Sequence, residues 1–374
     1  MKTKTIDIIT RLNIGGASVH VVNLVHGLSA EYDTMLVCGK IEPYETEMNY
    51  YAEKYNVKIN YLQYMGRELS FVRDIKGFFE LYKLIKNRKP MVVHTHLSKA
   101  GTLGRMAAFC AGVPTRVHTF HGNIFKGNYS KKKIKMFILI ERVLARISTH
   151  IIAISEKQKQ ELIDYNIAKP EKIKVIKLGF DFSNTLADES HKGLFRNQYN
   201  IPADATIISI IGRITYQKNL YLFLDIAEKL KEHNIYFPII GDGDLRQDIQ
   251  NEIDKRGLSP KVFITGFVKD LKPIYADTDI ILLTSHFEGT PVTLIEAMAN
   301  GKIILSTNVG GISDFVENGV SGFYFDDFIA EPFVETILMV VNNHQSSISK
   351  NARKTALETF NITRLLDDLK ILLT

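Results

Sequence analysis

The stretch "DIILLTSHFEGTPVTLIEAMANG", residues 279–301, carries the fold in miniature. Ile280 to Leu283 is continuously apolar, which marks a strand covered on both faces. The polar loop after it holds Glu288, Gly289, Thr290 and Pro291. Pro suits the first turn of a helix, because its fixed φ is already helical and its missing N–H is not needed there. "VTLIEAMAN" then reads as a helix, and Gly301 stands where a helix closes. The stretch is one βα unit.

The same rhythm runs through the chain. Strand candidates in the first half are "TIDIIT", "TMLVC", "MVVHT", "RVHTF", "HIIAI" and "IKVIK", with helices expected over 71–87, 100–111 and 131–147. In the second half they are "TIISIIG", "YFPIIG", "KVFITG", "DIILLT" and "KIILST". Continuous apolar strands alternating with helices predict an α/β fold built on doubly wound parallel sheets. At 374 residues the chain exceeds one ordinary core and suits two domains. The polar segment "FDFSNTLADESHKGLFRNQYNIPADA" breaks the rhythm. It predicts domains over 1–180 and 205–359 with a linker over 181–204, and a C-terminal helix over 360–374 packing back on the first domain. Ligands of such domains bind at the carboxyl ends of the strands, so the site is expected in a central cleft that the domains face.

Composition narrows the class. Hydrophobic residues at 45% and charged residues at 24% are the balance of a globular chain. Cys38 and Cys110 both lie in apolar runs and read as buried, reduced thiols rather than a disulfide or metal site. "MKTKTIDIIT" leads straight into a strand, which reads as no signal peptide, and no run has the roughly 18 apolar residues of a membrane span. Residues 1–182 hold 29 Lys and Arg against 16 Asp and Glu, a balance of +13, while 183–374 hold 18 against 25, a balance of −7. A basic half suggests an anionic partner. Nucleic acid is disfavoured, since no binding module or basic–aromatic stripe accompanies the charge.

Several motifs carry chemistry. In "TRLNIGGASVHVVNLVHGL", residues 10–28, Gly15 and Gly16 follow a strand and open a helix, either as a plain turn or to let backbone N–H groups approach an anion. The dinucleotide pattern G-x-G-x-x-G is absent here, and at Gly241 and Gly243 the third position is Arg246. Asp242/Asp244 and Asp277/Asp279 could hold a metal, but each pair sits in a turn or before a strand and reads as structural. No metal and no cofactor are therefore expected. In "IIGRITYQKNL", residues 210–220, Arg213 and Lys218 follow a central strand beside a helix start, a site suited to a diphosphate. His94, His96, His118 and His121 come at the ends of strands with no neighbouring acidic or cysteine ligand in sequence. Strand alternation puts His121 on the side of Val117 and Thr119, and His121 is the candidate for reaching a reacting sugar. Glu288 and Glu296 stand on a loop and a helix. They do not promise two carboxylates flanking one bond, as a glycosidase needs.

Together these residues resemble the retaining glycosyltransferases of family four, which have the GT-B fold of two Rossmann-like domains. The carriers are Glu288 and Glu296 in an E-x7-E pattern, "GR…QKN" upstream, "NVGG" at 308–311 downstream, and "HTHLSKAGTLGRMAAFCAGVPTRVHTFHG" at 94–122, which is similar to a bacterial branch. The resemblance implies that Glu288 binds donor-sugar hydroxyls and Glu296 the nucleotide ribose. Arg213 and Lys218 would neutralise the departing diphosphate, Gly16, after Gly15, would approach the phosphates, and Gly289, Thr290, Pro291 and Val292 would line the sugar. His121 matches the histidine of "TFH" beside the donor sugar, and His96, Lys99 and Asn123 fall on the acceptor side. It implies metal-independent, same-face displacement from a nucleotide-diphosphate sugar, UDP-linked, to a cell-envelope glycan or lipid-linked acceptor. An epimerase or phosphorylase on the same frame is the alternative. Two positions depart from the pattern: Asn123 where many relatives have His, and Ile303–Ile304 where a Pro usually follows.

"GNYSKKKIKMFILIERVLARIS", residues 127–148, joins four lysines to an apolar-rich helix. It reads either as a domain helix with a solvated basic end or as a helix lying on an anionic membrane surface. The expected location is cytoplasmic, peripheral on the inner face of the plasma membrane.

Overall fold

A computed structural model describes residues 2–373 apart from 14, 42–46, 67, 69, 123–129 and 344–345. The chain divides into two compact units, Met1–Phe180 with Asn361–Thr374, and Asp181–Phe360.

The first unit runs β1 (Lys4–Arg11), α1 (Gly16–Leu28), β2 (Asp33–Gly39), α2 (Asn49–Lys54), β3 (Ile59–Leu62), α3 (Phe71–Arg88), β4 (Val92–His96), α4 (Ser98–Cys110), β5 (Thr115–Phe120), α5 (Lys131–Ile147), β6 (His150–Ala153), α6 (Glu156–Asp164) and β7 (Ile173–Val175). Its strands form one sheet in the order β3-β2-β1-β4-β5-β6-β7, parallel at every pairing. The order reverses between β1 and β4, so the loops after these two strands diverge and leave a crevice at their carboxyl ends.

The second unit runs α7 (Leu194–Gln198), β8 (Thr206–Ile211), α8 (Leu220–Lys229), β9 (Ile235–Ile240), α9 (Arg246–Lys255), β10 (Val262–Gly266), α10 (Lys272–Asp277), β11 (Ile280–Leu283), α11 (Val292–Ala299), β12 (Ile303–Thr307), β13 (Phe323–Phe325), α12 (Glu331–Asn343) and α13 (Ser346–Thr359). The sheet order β10-β9-β8-β11-β12-β13 repeats the logic, with its reversal between β8 and β11. All four residues of β11 are buried, as a central parallel strand requires. At the end of α11, Gly301 N–H bonds to Met298 O and Lys302 N–H to Ala297 O, the paired closure of a glycine-stopped helix.

The chain then returns to the first unit as α14 (Ile362–Leu373). Leu365, Leu369, Leu372 and Leu373 join a core cluster with Leu24, Val92, Val117 and Ile152. Arg364 donates to the carbonyls of Lys177 and Leu178 at 2.6 Å each, which anchors the start of the helix.

Residues 181–204, read from their polarity as a linker, are built into the second unit instead. Asp277 accepts from the Gly193 and Arg196 amides at 2.6 and 3.0 Å, and Asn300 accepts from the Ala187 amide at 2.8 Å. Polar residues satisfying backbone donors look like a tether in one dimension. Cys110 also departs from expectation. Cys38 is buried, and burial pushes its thiol up to about 12, but Cys110 is exposed at the end of α4. The strand list from sequence omits β3 and β13, edge strands of four and three residues too short to make an apolar run.

Candidate active site

In the second unit the loops after β8 and β11 are stitched together at the reversal point. His286 N–H donates to Gln217 O at 2.8 Å, and Thr284 Oγ1 donates to Lys218 O at 2.9 Å. This places Lys218 against Glu288, with Nζ 2.9 Å from Oε1 and side chains only 14% and 9% exposed. Ser285 Oγ and Gln217 Nε2 also donate to that carboxylate, at 2.8 and 3.1 Å. Glu288 is therefore fixed by three side-chain donors before any ligand arrives. Lys218, expected as a phosphate cation, stands already paired. Arg213 is exposed just beyond β8.

The "NVGG" loop packs against the backbone at Glu288 and Gly289. Gly310 has φ +63, and a side chain there would meet Gly289 O at 2.1 Å and Glu288 Cβ at 2.6 Å. Only glycine permits that approach. Gly241 does similar work behind the site, where a Cβ would lie 2.0 Å from Gly212 O. The first G of that G-x-G thus packs backbone on backbone. Gly289, Thr290, Pro291 and Val292 lead into α11, whose start has no side-chain cap, so its first turn offers N–H groups outward.

Glu296 stands one element further along, on α11. Tyr275 Oη donates to its Oε2 at 2.9 Å, and burial pushes its carboxyl up to about 7 with that hydrogen bond acting against the rise. The two glutamates thus keep separate partners. Asp277 and Asp279 are engaged by the amides of Gly193, Arg196 and Ile207, and Asp242 by the Gly243 amide and Arg246.

The first unit places a different chemistry at its own reversal point. His96 Nδ1 lies 2.9 Å from His121 Nε2, and His96 Nε2 lies 3.4 Å from Asp7 Oδ1. The same oxygen lies 3.3 Å from His94 Nδ1, and His94 Nε2 meets Thr119 Oγ1 at 2.7 Å. The absence of an acidic neighbour, read from the local sequence, is thus corrected: β1 brings Asp7 beside β4. His20 from α1 completes the group, edge-on to His121 with ring centroids 5.1 Å apart. Burial lowers His20 and His96 well below the usual imidazole range and pulls His121 down to about 3, with neighbouring imidazoles adding to the effect. All three are neutral near pH 7. His118 points to the other face, bonded to Thr95 Oγ1 at 2.9 Å and edge-on to Phe120, and is structural.

The same unit holds a cavity of about 610 Å³ lined by Gly15, Gly16, Ser98, Lys99, Phe137 and Ile140 among others. The space above Gly15 is open, and the starts of α1 and α4 both reach the cavity. Lys99 is paired with Asp74 at 2.6 Å and also donates to Glu68 O. Asn123 lies outside the described residues.

The sequence reading missed Asp7, His20, Gln217, Ser285 and Tyr275. Asp7 did leave a signal, a lone carboxylate inside an apolar strand, and so did His20, a lone imidazole inside an apolar helix. Tyr275 left none.

Two parallel-sheet units, each carrying polar groups at its reversal point, have the α/β architecture of the GT-B fold. Residues 14–184 match the family model described as Glycosyltransferase Family 4, and residues 192–355 that described as Glycosyl transferases group 1. The UDP-Gal:alpha-D-GlcNAc-diphosphoundecaprenol alpha-1,3-galactosyltransferase of Escherichia coli is 30% identical over 91% of this chain and 88% of its own length. The capsular polysaccharide biosynthesis glycosyltransferase CapM of Staphylococcus aureus is 28% identical over 85% of both chains. Among solved structures, Anabaena HepE in complex with UDP is similar with a TM-score of 0.84, 19% identity and 99% coverage of both chains. The chain belongs to glycosyltransferase family 4.

Proposed function

We propose that this glycosyltransferase moves a sugar from a UDP-sugar to a lipid-linked or cell-envelope glycan acceptor, with retention at the anomeric carbon and without a metal at the diphosphate. The observation that carries the reading is the division of labour between the two glutamates. Glu288, held by Lys218, Gln217 and Ser285, suits a ligand's hydroxyls, and Glu296, held by Tyr275, is a second, separate acceptor. That arrangement fits two clamps on one nucleotide sugar, sugar and ribose, better than an acid/base pair. Donor and acceptor classes are those in the names of the Escherichia coli and Staphylococcus aureus relatives and of the UDP complex.

In this mechanism the bond from the anomeric carbon to the diphosphate oxygen breaks, and its electron pair stays on the phosphate. The acceptor hydroxyl attacks from the same face and passes its proton to that phosphate oxygen. Arg213, Lys218 and the uncapped start of α11 stabilise the leaving charge, His121 contacts the sugar as a neutral imidazole, and no protein nucleophile is needed. His96 and Lys99 stand on the acceptor side.

The acceptor would be met at an anionic membrane surface on the cytoplasmic side. α4 packs beside both α3 and α5, and this layer exposes Phe71, Val72 and Phe79 of α3 and Leu139 and Val143 of α5, next to Lys131, Lys132, Lys133 and Lys135. Apolar side chains rimmed by lysines suit the interface of an anionic bilayer. Among the described residues no helix is long and apolar enough to cross a membrane.

Calorimetry with UDP, GDP and ADP tests the donor: UDP should bind best, and no binding of any of them would end the reading. Turnover of UDP-sugars with and without a polyprenyl-diphosphate sugar separates transferase from hydrolase, and NMR of the product anomer reads retention. Pelleting with anionic vesicles at low salt should bring the chain down, less so for Phe71→Ser. A chain left in the supernatant sinks the membrane part.

A further inference from the structure

The histidine cluster of the first unit has a property that hydrogen bonding alone does not explain. His20 Nδ1 is buried with no hydrogen-bond partner among the described residues. Buried polar atoms are satisfied in the great majority of cases, so an orphan imidazole nitrogen asks for a partner. One nitrogen from each of His20, His96 and His121 lies within 4.8 Å of the other two. Their ring centroids are 5.1 Å (His20–His121), 5.1 Å (His96–His121) and 6.1 Å (His20–His96) apart. A tetrahedral zinc ion with Zn–N bonds of about 2.0–2.1 Å holds its imidazole centroids about 5 Å apart.

We propose that His20, His96 and His121 form a binding site for a divalent transition-metal ion of the zinc class, with Asp7 orienting His96 from behind. The donor set is three neutral imidazoles, the ligands that borderline-soft zinc prefers over magnesium or calcium. Asp7 Oδ1 sits at 3.4 Å from the outer nitrogen of His96, which leaves Nδ1 with its lone pair toward His121 and the ion. Carboxylate–histidine–metal is the usual way a protein fixes the tautomer of a metal-bound imidazole. His94 shares that carboxylate and is held by Thr119 on its other side. The fourth position is open to water or a ligand oxygen.

Binding has a consequence for His121. Without the ion, Nε2–H donates to His96 Nδ1 across 2.9 Å, and His121 Nδ1 is left as an acceptor. With Nε2 on the metal, Nδ1 carries the proton and becomes a donor. The ion would thus set which kind of group His121 offers. It lies wholly in the first unit and goes beyond the proposed function, in which no metal serves the diphosphate.

The test uses the full chain, untagged and purified without chelator or metal-affinity resin. Elemental analysis should find about one zinc per chain, and cobalt(II) exchanged for it should give the visible absorption of a four-coordinate ion. Zinc titrated alone into chelator-stripped chain should bind at one site. His20→Gln should abolish that site, and Asp7→Asn should weaken it roughly 10- to 100-fold. His26→Gln should keep it, because His26 is bonded to Tyr55 O outside the cluster. Should His20→Gln fail to fold by circular dichroism, the stoichiometry and cobalt spectrum of the unaltered chain decide. No saturable zinc site, or equal binding in folded His20→Gln, would overturn the proposal and leave a hydrogen-bonded imidazole network. UDP binding is read separately, so either result can fail without the other.

Discussion

The two reversal points follow one topological rule and hold opposite chemistry. At β8 and β11 the second unit keeps charge: Lys218 and Glu288 form a nearly buried ion pair with Gln217 and Ser285 around it. At β1 and β4 the first unit gathers four imidazoles, and those of His20, His96 and His121 are kept neutral by burial. Parallel strands with diverging loops guarantee a crevice; they do not determine what stands in it. In the second unit a carboxylate meets a cation within 3 Å; in the first, where imidazoles crowd each other, burial and mutual repulsion remove the charge.

The comparison can be broken experimentally, and the largest effect expected is on stability. Among the described residues the first unit also contains a buried ion pair, Arg105 with Glu141 at 2.7 Å, joining α4 to α5. Arg105→Ala leaves Glu141 buried and unpaired, so chemical denaturation should show a loss of about 3–5 kcal/mol. A loss below about 1 kcal/mol would mean that charge in this unit is as cheap as at a surface. Next comes Lys218→Ala, which removes the partner of Glu288 and the cation proposed to stabilise the leaving group. Transfer should slow by roughly 100- to 1000-fold in kcat with the fold intact by circular dichroism. An unchanged kcat would make the pair a structural staple.

Glu296→Gln is expected to be milder, weakening UDP binding about 10-fold, the value of roughly one hydrogen bond to a charged group. Since its carboxyl is pushed up to about 7, the ionised form proposed to accept ribose hydroxyls prevails only above that pH. UDP affinity should therefore rise with pH through about 7, and the rise should vanish in Glu296→Gln.

The smallest effect is a pair of opposite pH slopes. Burial holds His118 well below its usual 6.5, with Arg105 adding to it, so the unfolded chain takes up a proton that the folded unit refuses. That stability is present above 6.5 and is lost as pH falls below it. Glu296 runs the other way: its folded carboxyl keeps a proton that the unfolded chain releases at 4.5, so stability is lost as pH rises from 4.5 to about 7. Hydrogen exchange of peptides spanning 115–120 and 292–299 should show opposite trends across pH 5 to 7 on the order of a few tenths of a kcal/mol or more. Parallel trends would refute the contrast.

Much of the second unit's candidate site was legible because its residues are neighbours in sequence. The loop 284–291 and helix 292–299 are one continuous βα unit, and "GR…QKN" another, so Glu288, Glu296 and Lys218 could be assigned to elements from spacing alone. The pairing of Lys218 with Glu288 was not legible, since 70 residues separate them and only the β8–β11 register joins them. The polar segment 181–204 misled for a related reason: its donors find acceptors 81 to 113 residues away, at Asp277 and Asn300.

By itself, then, the sequence determined the class of fold, the place of each βα unit and the loops that bear polar groups, because periodicity and turn chemistry are local properties. Tertiary structure alone decided which of those groups meet. Asp7 from the middle of β1, His96 at the end of β4, His121 just after β5 and His20 on α1 lie up to 114 positions apart, and become a cluster only when β1 pairs with β4 and β4 with β5. The neutral state of the three imidazoles follows from that meeting, because desolvation and repulsion among imidazoles exist only once the strands have closed on one another.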